Sequence, residues 1–336
     1  MQVALEKEQG PYRSRIFSLS KEGGDPIYTP LFIPSVSSTV DRDWRRTVSA
    51  LASSSATKGN PILISAFDVY SAKKLPKQLN AFQAIVLDSG GYEARKQHRP
   101  WSRPRFTRAT SRVKADISVG FDGDGVKNFT IDRQFEDQLW ALERVPEGSL
   151  RTLLLHLDTD YNTEKTTDLL QKHATQYDII GLTEHSLGIS FDQRVRRLHE
   201  FRLALDAHGI VRPIHVFGTD HPLSIVIYSL AGADMFDGLG WATEFIDAES
   251  LSRHDISHHV LCSRFGAFAS QCGGMKDDAT TRGLLLEWNL IELKTLLAEI
   301  KKSILNDDAQ ELFVRLRRHP FAQKAVDLLQ EMTNGR

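Results

Sequence analysis

Short apolar runs bounded by turn residues recur along this chain at intervals that leave room for a helix. That alternation limits the available folds more than any other feature. The runs cover residues 62–66, 84–87, 117–121, 152–157, 179–182, 213–217 and 235–239, and helix-length segments such as 135–144, 163–175, 191–207 and 222–231 lie between them. Repeated strand-then-helix units predict an α/β protein, an irregular (β/α)8 TIM barrel ahead of an open doubly wound sheet. The open nucleotide-binding sheet lacks its signature, since no G-x-G-x-x-G follows a strand and no Walker motif occurs. Before the series, Tyr28-Thr29-Pro30-Leu31-Phe32-Ile33-Pro34 is extended, because each proline biases its predecessor out of the α region. The polar stretch 35–60 is expected at the surface. Amphipathic helices over 284–305, 309–316 and 322–332 are expected to supply the last barrel helix and a helical C-terminal extension. The chain then divides into a barrel over 1–305 and an extension over 306–336.

A length of 336 residues suffices for one large barrel. With 25% charged residues and a formal charge of -1, no global field draws the chain to polyanions, so any nucleic-acid contact must come from a local patch. Two cysteines, Cys262 and Cys272, exclude a disulfide framework, and the opening MQVALEKEQG is neither a signal peptide nor a membrane span. A cytoplasmic protein with no membrane association is expected.

In a barrel the strand C-terminal ends converge on one face, so their residues are read together. Leu87-Asp88-Ser89-Gly90-Gly91-Tyr92 delivers a carboxylate to the rim. Two glycines then admit a ligand close to the backbone, and Tyr92 offers an aromatic face. A helix N-cap is the plainer reading of Asp88. Other strand ends supply Asp122 in Phe121-Asp122-Gly123-Asp124, His156 and Asp158, Glu184, His215 with Gly218, and Asp237 in Asp234-Met235-Phe236-Asp237. So many acids on one face repel unless a metal, a cationic substrate or shared protons offset the charge. Metal-dependent hydrolysis, sugar hydrolysis by a carboxylate pair, and displacement of a base at an anomeric carbon could each use them. The first lacks its usual H-x-H after the first strand, where the chain reads Ser65-Ala66-Phe67-Asp68. Composition leaves the other two level.

Taken together, Asp88-Ser89-Gly90-Gly91-Tyr92, Phe121-Asp122 and Gly232-Ala233-Asp234-Met235-Phe236-Asp237 resemble the tRNA-guanine transglycosylase superfamily in order and spacing. Supporting matches are the segment 28–34 and Glu287-Trp288-Asn289-Leu290, so the resemblance spans about residues 25 to 302. It implies a barrel enzyme that exchanges a guanine in a nucleic acid for a 7-deazaguanine. Asp237 would be the nucleophile at the sugar C1′ and Asp88 the general acid/base. Asp122 would read the base edge, and Tyr92 would stack on it. Ser89, Gly90, His156 and Gly181 would complete the base pocket. No cofactor is implied, and a homodimer or partner subunit is carried from the resemblance alone.

Three departures stand out. His156 takes the place of a usual glutamine, and the usual G-G-L-A-V-G-E is reduced to Gly181-Leu182-Thr183-Glu184-His185. The C-x-C-x-x-C zinc motif is missing; Cys272 lies nearby, and Trp288 stands at the expected histidine ligand. No metal is therefore expected, since one thiol cannot make a four-ligand structural site. Loss of these zinc elements inclines the substrate toward DNA over tRNA. The competing readings are an inactive subunit that binds nucleic acid or a partner, and a hydrolase that cleaves the N-glycosidic bond with water.

Arg95, Lys96, Arg99, Arg103, Arg105, Arg108, Arg112 and Lys114 form an acid-free basic stretch interleaved with Trp101 and Phe106. Such a stretch is commonly a solvated face, but its place directly after the Asp88 strand favours phosphate contact and base stacking. The cluster His254, His258, His259 and Cys262 has no recognised metal-ligand spacing and is left out of the site.

Overall fold

The computed structural model describes residues 1–9, 12–21, 23–54, 59–123, 130–157 and 161–334. Its centre is a closed barrel of eight parallel strands: β4 (Leu31–Val36), β5 (Pro61–Ser65), β6 (Ala84–Asp88), β7 (Ile117–Val119), β8 (Leu150–Leu155), β9 (Ile179–Thr183), β10 (Ile214–Phe217) and β11 (Met235–Gly238). Neighbours in sequence pair around the ring, and β11 returns to β4 with Asp237 opposite Ile33. This is the TIM barrel that the alternation predicts.

The strands are apolar throughout because both of their faces are covered. Alternate residues serve different cores. Ile33, Leu63, Val86, Leu154 and Met235 fill the barrel interior. Phe32, Ile62, Ile64, Ile85, Leu87, Leu153 and Phe236 belong to the core shared with the surrounding helices. Carried one step further, the inward period of two lands on Ser35, Ser65, Asp88, His156 and Asp237. Polar chemistry therefore sits at one rim while the opposite end stays greasy.

That opposite end is closed by an antiparallel sheet that the polar N-terminus conceals. It comprises β1 (Gln2–Glu8), β2 (Arg15–Ser20) and β3 (Ile27–Tyr28), in the order β1-β2-β3. Leu19 and Ile27 join the barrel-interior core. The ring also begins one strand earlier than predicted, at Leu31–Val36. Nor is 35–60 a surface stretch throughout: α1 (Trp44–Ser53) buries Trp44, Thr47, Val48 and Leu51. Those side chains share one helical face, and the charges between them masked the stripe.

The outer layer continues with α2 (Ala66–Ser71), α3 (Gly91–Lys96), α4 (Arg103–Thr110), α5 (Ile131–Leu142), α6 (Thr163–Lys172), α7 (Phe191–Ala207) and α8 (Pro222–Leu230). A hairpin of β12 (Glu244–Asp247) and β13 (Ser252–Asp255) follows, then α9 (Ser263–Gln271), the long α10 (Asp278–Leu305), α11 (Gln310–Arg318) and α12 (Gln323–Asn334). The C-terminal helices lie on the barrel, with α12 against α7 and α8. Among the described residues no helix is long and apolar enough to cross a membrane.

One buried ion pair ties the late strands to their helix. Arg202 of α7 and Asp234 before β11 are fully buried, 2.6 Å apart. Arg202 also donates to the carbonyls of Gly232 and Arg212, while Asp234 accepts the Ile214 N–H that opens β10. Burial pulls Arg202 down to about 10 and pushes Asp234 up to about 6, so desolvation outweighs the attraction for both partners. Removing one partner strands a charge. Arg202→Met is expected to lose about 3–5 kcal/mol of unfolding free energy in urea at neutral pH. Adding Asp234→Asn, which keeps an acceptor for Ile214, should recover part of that loss; no recovery would contradict the account.

Candidate active site

A cavity of about 400 Å³ opens at the C-terminal ends of the strands, and Asp88, Asp122 and Asp237 all line it. Ser35, Ser89, Tyr92, Glu93, Arg95 and Phe217 contribute to the same walls. Residues up to about 200 positions apart in sequence meet here because the ring closes.

Asp237 is the most firmly held of the three acids. Its Oδ2 accepts the Ser35 hydroxyl at 2.7 Å, and its Oδ1 accepts the His215 Nε2 at 3.1 Å and the Gly218 N–H at 3.2 Å. Each donor sits on a strand flanking β11 or directly after one. Asp237 itself is 7% exposed.

Asp88 has a poorer environment. The Gly90 N–H reaches its Oδ2 at 3.2 Å. Burial pushes its carboxyl up to about 8, and the charges of Glu93 and Asp237 add to the rise. At neutral pH it holds a proton. Glu93 comes from α3, buried, where the hydroxyls of Ser37 and Ser65 each donate to it at 2.7 Å. Sequence reasoning passed over Glu93, Ser35 and Ser65; the two serines lie on the inward period of their strands, which is the signal that locates them. Beyond Glu93, Asp68 accepts the Ser38 N–H and hydroxyl, and burial with the Glu93 charge raises it to about 7.

The two glycines after Asp88 have separate reasons. Gly90 adopts φ +82°, and a Cβ there would lie 2.5 Å from the Phe67 backbone nitrogen. A Cβ on Gly91 would collide with the Asp122 carbonyl. Helix α3 can thus start against the β7 loop, which brings Tyr92, 43% exposed, to the cavity. Ser89 is buried; its carbonyl accepts the Trp101 indole N–H at 2.9 Å.

His156 does not line the cavity as expected. Gln134 pins its backbone through both N–H and carbonyl. Its ring points to Thr183 Oγ1 at 3.2 Å and, on the other side, to Asp122 Oδ1 at 3.5 Å. Neither Asp122 Oδ1 nor His156 Nε2 has a hydrogen-bond partner among the described residues. Arg95 donates to the other Asp122 oxygen at 3.3 Å. Burial would raise the Asp122 carboxyl, but His156 and Arg95 outweigh it and hold it below its usual value. Gly181 also stands back from the cavity: a Cβ there would lie 2.8 Å from the Phe217 ring, so it makes room for that wall.

The basic stretch is only partly free. Arg95 belongs to the cavity. Arg103 pairs with Asp137 and lies over the Trp140 ring. Arg99 covers Phe67, Arg105 covers Tyr70, and Lys96 sits 5.6 Å from the Tyr92 ring. Trp101 and Phe106, expected to stack on bases, are interior: Phe106 is fully buried and packs on Phe121. Aromatic residues in a basic run followed the helix core instead, because α4 needs a buried face.

Trp288, which the resemblance set at the expected zinc-ligand position, stacks on Phe245 with rings 4° from parallel, and its indole N–H donates to the Ile246 carbonyl at 3.0 Å. Phe265 and Leu284 complete that small core, while Cys272 is exposed. No group of three or more His, Cys, Asp or Glu side chains among the described residues is placed to hold a metal ion. Asp124 and Asp158 lie outside the described residues.

The raised Asp88 carboxyl makes a pH prediction. The folded protein keeps this proton up to about pH 8, the unfolded chain only to about pH 4. Stability from this group is therefore full below about pH 4 and lost as pH rises through about 8. Asp88→Asn, which cannot ionise, should flatten the fall in Tm between pH 5 and 8.5 and melt ~2–4 °C above the parent at the upper end. Parallel curves would contradict the shift.

No family model matches the chain. Over 120 residues it is 29% identical to a tRNA-guanine(15) transglycosylase of Haloferax volcanii. The aligned part covers 33% of this chain and 23% of the relative's length. This distant likeness supports a relationship to the tRNA-guanine transglycosylase superfamily, to which the Asp88 and Asp237 motifs had pointed.

Proposed function

We propose that the protein is a guanine transglycosylase acting on a nucleic acid, with Asp237 as nucleophile and Asp88 as acid/base. One observation carries the reading: two carboxylates at the ends of β6 and β11 line one cavity in contrasting environments, one held by three donors and the other pushed up to about 8 by burial and two neighbouring acids. An exchange needs that division.

Asp237 attacks C1′ as the glycosidic C–N bond breaks, and the electron pair leaves with the guanine, which takes a proton from Asp88. The sugar is then an ester of Asp237. An incoming 7-deazaguanine gives its proton to Asp88 and attacks C1′ from the face that the guanine left; the ester bond breaks and Asp237 is a carboxylate again. Two inversions give net retention. A flipped-out base would stack on Tyr92 and present its donor edge to Asp122. The missing zinc ligands favour DNA as the polymer, whereas the relative's name favours tRNA. Retention of both aspartates argues against an inactive binding subunit.

Labelled guanine offered with tRNA and, separately, duplex DNA tests this. Incorporation into one polymer is expected, abolished by Asp237→Ala and reduced about 10²–10⁴-fold by Asp88→Asn. The parent rate should fall as pH rises through about 8, where Asp88 loses its proton. Binding of both polymers with no incorporation would sink the proposal, and guanine release without incorporation would make the protein a hydrolase.

A further inference from the structure

The two oxygens of Asp237 are held unequally, and the difference assigns them separate tasks. On Oδ1 two donors with fixed positions converge, His215 Nε2 at 3.1 Å and the Gly218 N–H at 3.2 Å. His215 is 1% exposed, and its ring lies on Phe217 with centroids 3.8 Å apart and planes 25° from parallel, so it has no freedom to swing. Among the described residues Oδ2 accepts only the Ser35 hydroxyl, at 2.7 Å, and a hydroxyl can rotate away. A carboxylate can only accept, so the His215 proton resides on Nε2.

We propose that His215 is a positioning residue that, with Gly218, anchors Oδ1 and leaves Oδ2 to attack C1′, and that it speeds release of Asp237 in the second half of the exchange. The proposal rests on the transglycosylase reading. In the first half a lone pair of Oδ2 forms the bond to C1′, the C1′–N bond breaks toward the base, and Oδ1 becomes the ester carbonyl, still accepting from His215. In the second half the O–C1′ bond breaks and its electron pair returns to Asp237. No proton leaves His215 at either stage. Its hydrogen bond is stronger to the free carboxylate than to the neutral ester, because charge-assisted bonds are the stronger kind. Donation from Nε2 therefore disfavours the ester relative to the carboxylate and makes Asp237 a better leaving group.

Removing the donor should shift the balance toward the ester, whereas a residue that merely packed the barrel would slow exchange without trapping it. The test uses the full chain with whichever polymer accepts label, quenched in denaturant, and measures the protein fraction covalently bound to polymer alongside the exchange rate. His215→Phe keeps the stacked ring and loses the donor; it should raise the ratio of ester to free enzyme roughly 10–100-fold while exchange falls. His215→Gln restores an N–H donor and should return both readings toward the parent. Should the Phe variant not fold, His215→Met, a flexible filler without a donor, serves in its place. An unchanged or lower covalent fraction in the donorless variant, or no rescue by Gln, overturns the inference while leaving base exchange standing. A parent protein that neither exchanges base nor forms a covalent species overturns the transglycosylase reading itself.

Discussion

The pairing of β11 with β4 is the contact on which this molecule depends. Four residues of each strand run side by side, Met235 to Gly238 against Leu31 to Pro34, and they close a sheet that would otherwise have two open edges. Closure brings Ser35 within 2.7 Å of Asp237 across 202 residues of chain. It also turns eight strand ends into one wall, so that Ser35, Asp88 and Asp237 face one another across a cavity. An open sheet with the same strands would spread these groups along an edge, and Asp237 would lose its Oδ2 donor.

Crowding acids into that wall carries an electrostatic cost, and each acid meets it by a different route. Asp122 has the Arg95 guanidinium and the His156 ring beside it. Asp237 has neutral donors, and Glu93 has two serine hydroxyls. Asp220 is paired with Arg253 of the β12–β13 hairpin. Asp88, buried with two acids nearby and only backbone N–H groups to offset them among the described residues, is left to keep its proton.

Neutral spacing requirements shape the site as much as charge does. Gly90 and Gly91 let α3 start hard against α2 and the β7 loop, and that docking carries both Tyr92 and Glu93 to the cavity. A β-carbon at either place would push the helix away. Tyr92 and Glu93 were therefore set by two glycines whose role is close approach, and only the first of the pair needs a left-handed backbone.

Sequence alone determined the alternation of strand and helix, the barrel, and the presence of Asp88, Asp122 and Asp237 at strand ends. These depend on local periodicity and on turn residues adjacent in the chain, so a linear reading recovers them. Tertiary structure decided what each group faces. It turned His156 behind Asp122, drew Arg95 out of a supposed phosphate-binding run into the cavity, and buried Phe106 under its helix. It also revealed α1 and the N-terminal sheet, whose apolar residues are sparse and act only once packed against the barrel. The reason is the same in each case: partner, burial and ionisation are properties of residues distant in sequence, and only closure of the ring brings them together.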